Sequence, residues 1–183
     1  MAGSARGRRL EAPASITRPT SDRAREGLFS TLEHLLGTLN QKRVLDLYSG
    51  TGAIGLEAAS RGASQVDLVE SDARAAEVCR KNLACLGFET VKVHALTAER
   101  WLVSVPPNIP YDLVVMDPPY ATSNESIEAT LTELRAHGWL APGGIVAVER
   151  DAKSTEFVWP AGLTQVRQRR YGHAMVRYAT KDC

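Results

Sequence analysis

The stretch Asp46-Leu47-Tyr48-Ser49-Gly50-Thr51-Gly52-Ala53-Ile54-Gly55 constrains the fold more than any other in this chain. It begins in a short apolar run, Val44 to Tyr48, that has strand character, and it opens a stretch from Ala53 to Arg61 with helical character. Gly-x-Gly-x-x-Gly at a strand-to-helix junction permits a tight turn and lets a ligand approach the backbone. In sheets built from such units, ligands sit beyond the carboxyl ends of the strands, at the switch point in strand order.

The remainder of the chain alternates in the same way. A helix is expected from about Asp22 to Leu36, capped by Thr20 or Ser21, with Ala24, Leu28, Leu32, Leu35 and Leu36 at helical spacing and Gly37 as its stop. Beyond the glycine turn come strands at 65–70, 90–95, 111–116 and 144–149. Helices lie between them, at 72–86 and 97–103 and from Ser123 or Asn124 to His137. Two last strands, at 164–170 and 173–180, are joined by a tight turn at Tyr171-Gly172. Strands alternating with helices imply a parallel sheet covered on both faces, and the terminal pair adds an antiparallel edge. There is no internal repeat and no linker, so residues 1–183 read as one domain, with a basic arm or hairpin at about 1–17.

Charge is unevenly spread. The net value of +1 conceals six arginines against three acids in residues 1–26, and six basic against two acidic residues in 153–183. Two basic ends around an acidic middle suit a polyanion held at the ends. No apolar run approaches the roughly 20 residues of a membrane span. The N-terminus lacks the apolar segment of a secretory signal. Cys79, Cys85 and Cys183 are an odd set without a framework, which points to free thiols in a reducing, cytoplasmic compartment. No Cys/His cluster has zinc spacing, and His34, His94, His137 and His173 are scattered singly, so no metal is expected.

Three acids give the chemistry a direction. Asp46 stands four residues before Gly50, where a carboxylate would repel a pyrophosphate but could accept hydrogen bonds from an ammonium group. Glu70 ends the second strand, where an acid meets ribose hydroxyls. S-adenosylmethionine, cationic and without phosphate, therefore fits better than a nicotinamide or flavin dinucleotide. The third acid is Asp117. The run Val114-Val115-Met116 stops at Asp117-Pro118-Pro119-Tyr120, leaving a carboxylate, a stiff turn and an aromatic ring at a strand tip. Asp117 and the Pro118 carbonyl can each accept one N–H of an exocyclic amine, and Tyr120 can stack on its ring. None of the cysteines follows a proline, against cytosine C5 methylation, and no Ser-His-Asp set is visible.

With the glycine turn before Asp-Pro-Pro-Tyr, the chain resembles the class I amino-methyltransferases. More narrowly it resembles the RsmD-type 16S rRNA guanine-N2 methyltransferases. The likeness rests on Arg18-Pro19-Thr20-Ser21-Asp22-Arg23-Ala24-Arg25-Glu26-Gly27-Leu28-Phe29, on Leu45 to Glu57, on Ala59-Ser60-Arg61-Gly62, on Val66 to Glu70, and on the final strand pair ending Val176-Arg177-Tyr178. The resemblance implies a Rossmann-like, seven-stranded, mostly parallel sheet with an antiparallel C-terminal strand and helices on both faces. It implies S-adenosylmethionine as methyl donor and S-adenosylhomocysteine as product. Asp46, Tyr48, Ser49, Gly50, Gly52, Glu70, Ser71 and Asp117 would line the cofactor site, with Arg18, Pro19 and Thr20 beside the methionine end. Thr97 and Ala98 would lie at the adenine edge, where relatives usually carry Asp-Ala. The catalytic set is then Asp117, Pro118, Pro119 and Tyr120. Arg6, Arg8, Arg9, Arg23, Arg167, Arg169 and Arg170 are the expected nucleic-acid contacts. The partner is 16S rRNA or the 30S subunit, and the enzyme a monomer. The alternatives are a DNA adenine-N6 or cytosine-N4 methyltransferase and a non-catalytic, cofactor-binding RNA module.

Overall fold

The computed structural model describes residues 1–8, 10–11, 22–104 and 108–182. Seven strands form one sheet: β1 (Arg43–Leu47), β2 (Gln65–Val69), β3 (Val91–His94), β4 (Tyr111–Met116), β5 (Leu140–Asp151), β6 (Leu163–Tyr171) and β7 (Ala174–Lys181). Their order is β3-β2-β1-β4-β5-β7-β6. The first five run parallel, while β7 pairs antiparallel with both β5 and β6. Among the described residues five α-helices accompany them: α1 (Asp22–Leu36), α2 (Ala53–Ser60), α3 (Ala73–Leu86), α4 (Ala98–Leu102) and α5 (Asn124–Ala136). The order reverses between β1 and β4, and that switch point is where the glycine turn and Asp117 both emerge.

Side chains alternate across the central strands, and each face has its own core. Val44, Leu113, Val115 and Ala147 pack with Phe29 and Leu32 of α1, Leu56 of α2 and Cys79 of α3. Leu45, Leu47, Val114, Met116 and Val148 pack with Leu102 of α4 and with Ile127, Leu131 and Leu134 of α5. Strands apolar on both faces are what a doubly covered sheet requires. Among the described residues, no helix is long and apolar enough to cross a membrane.

Three local expectations need correction. β1 ends at Leu47 rather than Tyr48, whose φ of 64° takes the chain off the sheet. β5 is twice the expected length, starting at Leu140 and passing through a shift of register against β4. The described residues of the N-terminal arm form no hairpin. They make a 3-10 turn at Gly3–Ala5 that is tied to α2, with the Ala2 N–H donating to Glu57 and the Ala5 N–H to Ser60 Oγ. Arg8 then donates to the Cys85 carbonyl, and the Glu11 N–H to Asn82 Oδ1 at 2.7 Å. The remaining arm positions, 9 and 12–17, lie outside the described residues, as do Thr20 and Ser21 as caps for α1.

Candidate active site

The site is assembled from strand tips. After β1 the chain turns through Ser49, Gly50, Thr51 and Gly52, all buried, with φ of 55° at Gly50 and 83° at Gly52. Gly52 allows close packing: a Cβ there would stand 2.6 Å from Cys79 Sγ. The Gly50 N–H donates to Glu70 Oε2 at 2.7 Å, and the Asp72 N–H donates to Glu70 Oε1 at 2.7 Å. Glu70 thus ties the glycine turn to the start of α3, and each oxygen retains a lone pair for another donor.

Asp46 is 1% exposed. Its Oδ2 accepts from the Gly55 N–H at 2.9 Å, whereas Oδ1 is buried with no partner among the described residues, as is Ser49 Oγ. Burial pushes the Asp46 carboxyl up to about 8. The Gly55 hydrogen bond opposes this, and the charges of Asp117 and Glu70 add to it. At the tip of β4, burial likewise pushes Asp117 up to about 6. Pro118 is buried, while Pro119 and Tyr120 are exposed. Three acids therefore converge at the switch point. They leave a buried acceptor oxygen that suits an ammonium or sulfonium cation and would repel a phosphate.

Beside this focus lies a cavity of about 470 Å³, lined by Tyr48, Val69, Ser71, Thr97, Ala98 and Pro119 among others. That is the size of an ordinary small-molecule site. The departure at Thr97 has a structural use: its hydroxyl caps α4 by accepting the Arg100 N–H at 3.2 Å. An aspartate could cap there equally well.

Two residues near the site were not foreseen. Arg150, 4% exposed, donates from Nη2 to the Thr122 carbonyl at 2.7 Å and from Nη1 to that of Pro119 at 3.4 Å. It braces the turn that follows Asp117 from inside. Glu149, half-buried at the end of β5, is pushed up to about 8 by burial and then by the charge of Asp117. The only signal in the sequence was two opposite charges closing a long apolar strand, and their partners depend on sheet register.

The expected nucleic-acid contacts separate into two groups. Arg23 and Arg170 line a groove of about 670 Å³ with Gly27 and Tyr171, between α1 and the β6–β7 turn. Arg167 and Arg169 lie further along β6, opposite Tyr178 and Val176 of β7. Asp151 pairs with Ala174, so this hairpin tip stands at the same end of the sheet as Asp117. Arg8 instead lies against the C-terminal end of α3, and the exposed Arg6 follows Ala5, which is tied to the C-terminal end of α2, both remote from the strand tips. Arg9, Arg18, Pro19 and Thr20 lie outside the described residues.

This strand order, with helices on both faces and the glycine turn at the switch point, defines a class I methyltransferase fold. A family model described as conserved hypothetical protein 95 matches residues 1–180. The chain belongs to that family, the RsmD-type methyltransferases. It is 33% identical over 181 residues to the ribosomal RNA small subunit methyltransferase D of Escherichia coli K12, covering 98% of this chain and 88% of that protein. It is 31% identical over 176 residues to the putative rRNA methyltransferase YlbH of Bacillus subtilis 168, covering 94% and 92%. The solved structure of the putative methyltransferase yhhF from Escherichia coli superposes with a TM-score of 0.86 at 31% identity, over 100% of this chain and 97% of that one.

Proposed function

We propose that this protein uses S-adenosylmethionine to methylate the exocyclic N2 amine of a guanine in 16S rRNA, within the small ribosomal subunit. One observation carries the reading. The buried Asp46 oxygen that has no partner among the described residues lies in the same acidic focus as Asp117, whose charge bears on it. A cation-accepting site and an amine-accepting turn thus share one end of the sheet. The rRNA substrate is supported by relatives named as small-subunit rRNA methyltransferases, matched over nearly the whole chain.

When bound, S-adenosylmethionine supplies an electrophilic methyl group on a cationic sulfur. Asp46 and Ser49 have the free polar atoms to hold its methionine end, together with Arg18, Pro19 and Thr20. Glu70 has the spare lone pairs for ribose hydroxyls, and Ser71, Thr97 and Ala98 flank the adenine compartment. An exocyclic purine amine is a poor nucleophile because its lone pair is delocalised into the ring. Asp117 accepts one N–H and the Pro118 carbonyl the other, which favours a more tetrahedral nitrogen with its lone pair aimed at the methyl group. Positioning within about 3–3.5 Å is the main requirement. Tyr120, 42% exposed, stacks on the base, worth about 1–3 kcal/mol by analogy with other base-stacking aromatics. The proton leaves after transfer, when the nitrogen is cationic and acidic, so no strong base is needed. A base paired in a helix cannot reach this turn and must be unpaired or flipped out. The same reading makes the chain one domain, acting as a monomer in the cytoplasm with free thiols at Cys79 and Cys85.

Radiolabelled methyl transfer to 30S particles, naked 16S rRNA and duplex DNA tests the proposal. Label is expected in the ribosomal substrates; label in DNA alone would favour the DNA-methylating alternative and sink this one. Asp117→Ala is expected to lower transfer by about 100-fold or more while cofactor binding persists, measured by calorimetry. Loss of cofactor binding instead would move Asp117 from the amine to the donor.

A further inference from the structure

We infer that Glu149 reads the target base, its carboxylate accepting the N1–H of guanine while Asp117 and the Pro118 carbonyl hold the neighbouring N2 amine. This rests on the guanine-N2 reading above and explains how the site would select that base.

The register carries the geometry. Met116 of β4 and Val148 of β5 are the last paired residues of these parallel strands. One step further, Asp117 and Glu149 stand side by side, with adjacent strands about 4.8 Å apart. Both continue the face that carries Val115 and Ala147, the face covered by α1. Their charges interact, as the effect of Asp117 on Glu149 requires.

The fold gives Glu149 no evident task of its own. Among the described residues its half-buried carboxylate makes no hydrogen bond or ion pair, and the groups it interacts with by charge are Asp117 and the buried Tyr178. The cations nearest in sequence and register are engaged elsewhere: Arg150 with the carbonyls of Pro119 and Thr122, and Arg177 with Glu156 at 3.1 Å. A glutamate kept for stability at such depth would be paired.

Base chemistry supplies the task. Guanine presents a ring N–H directly beside its exocyclic amine, so two adjacent acceptors match two adjacent donors. Accepting the N1–H of guanine favours the ionised form that burial and Asp117 oppose. Adenine N1 and cytosine N3, beside their own amines, are acceptors and would face that ionised carboxylate lone pair to lone pair, so the discrimination is sharpest at and above about pH 8, where Glu149 does not carry a proton to offer them. Guanine also relieves the repulsion between the two acids, whereas the other bases leave it in place. Discrimination arises from a polar group left unpaired by the wrong base.

The test uses an RNA substrate whose target guanine is replaced by 2-aminopurine, which keeps the C2 amine and lacks the N1–H. Wild-type protein is expected to prefer guanine by roughly 100-fold in kcat/KM. Glu149→Ala is expected to lower transfer to guanine and leave 2-aminopurine nearly unchanged, so that the preference falls to a few-fold. Glu149→Gln offers an amide that can accept from guanine N1–H or donate to 2-aminopurine N1, so the roughly 100-fold preference is expected to fall to a few-fold. Melting and cofactor titration establish that each variant is folded; if the alanine variant is not, the near-isosteric glutamine variant decides. Equal losses on both substrates, or a guanine preference that survives in Glu149→Gln, would overturn the inference and leave the guanine-N2 reading intact. Failure of the wild-type protein to methylate the guanine substrate would overturn both.

Discussion

A buried carboxylate such as Asp46 costs stability when it is ionised, and a cation beside it would offset that cost. Its carboxyl titrates near 3.8 in an unfolded chain and near 8 in the fold. Between those values the folded state binds the extra proton, so this group's contribution to stability declines as pH rises across the interval. Asp46→Asn can keep the acceptor for the Gly55 N–H while removing the charge. It is expected to raise the melting temperature by several degrees at pH 8, at about 2–4 °C per kcal/mol for a chain of this size, by less at pH 5, and little below about pH 4, where the carboxyl is protonated in both states. The same variant should bind S-adenosylmethionine at least 10-fold more weakly by calorimetry; unchanged affinity would detach Asp46 from the cofactor. Arg150 is its counterpart beneath the turn that follows Asp117. Arg150→Met leaves the Pro119 and Thr122 carbonyls without their donor, and a turn displaced by about 1 Å is expected to lose up to about 100-fold in kcat. Cofactor affinity should hold, and a parallel loss of both would make Arg150 a general support of the fold. Asp46 and Asp117 were legible in the sequence because glycines and prolines mark the chain beside them. Glu149 and Arg150 were not, because they gain partners only when β5 is set against β4.

The elements were legible to within a few residues wherever periodicity and capping agreed. Asp72 caps α3 by accepting the N–H groups of Arg74 and Ala75, and Gly87 ends it with φ of 72°; both positions can be read directly. What stayed hidden is contact between elements: the strand order past β4, and the seating of residues 1–8 on α2 and α3, which uses backbone N–H groups in a stretch without periodicity. The third glycine of the turn shows how element packing reaches the site. A Cβ at Gly55 would stand 2.1 Å from Leu68 Cδ2, 3.0 Å from Val66 Cγ1 and 3.2 Å from Asp46 Oδ2. Gly55→Ala would push α2 off the sheet and strain the hydrogen bond that orients Asp46. Overpacking of this kind costs about 1–3 kcal/mol, to be seen as a lower melting temperature accompanied by weaker cofactor binding. Weakened stability with normal cofactor affinity would mean that α2 moves without disturbing the turn.

Across the whole molecule, the near-neutral net charge resolves into local fields, and the fold decides which basic residues can act together. Reading charge along the chain made the two ends equivalent. In the structure they are not: Arg23, Arg169 and Arg170 gather near the groove and the hairpin tip, at the end of the sheet that carries Asp117, while Arg8 sits at the far end of α3 and Arg6 follows the turn tied to the far end of α2. An RNA whose base enters beside Asp117 would lay its flanking phosphates along the first group. Each phosphate neutralised on a single strand releases counterions and steepens the fall of affinity with salt by about 0.7 in log–log slope. Replacing Arg23, Arg169 and Arg170 together by alanine is therefore expected to reduce that slope by about 2, measured by fluorescence anisotropy of a labelled rRNA fragment across a salt series. Arg6→Ala with Arg8→Ala should leave the slope within error. The opposite pattern, an unchanged slope in the first variant and a reduced one in the second, would put the RNA backbone over the outer helices and would separate phosphate binding from the end of the sheet that carries the amine-holding turn.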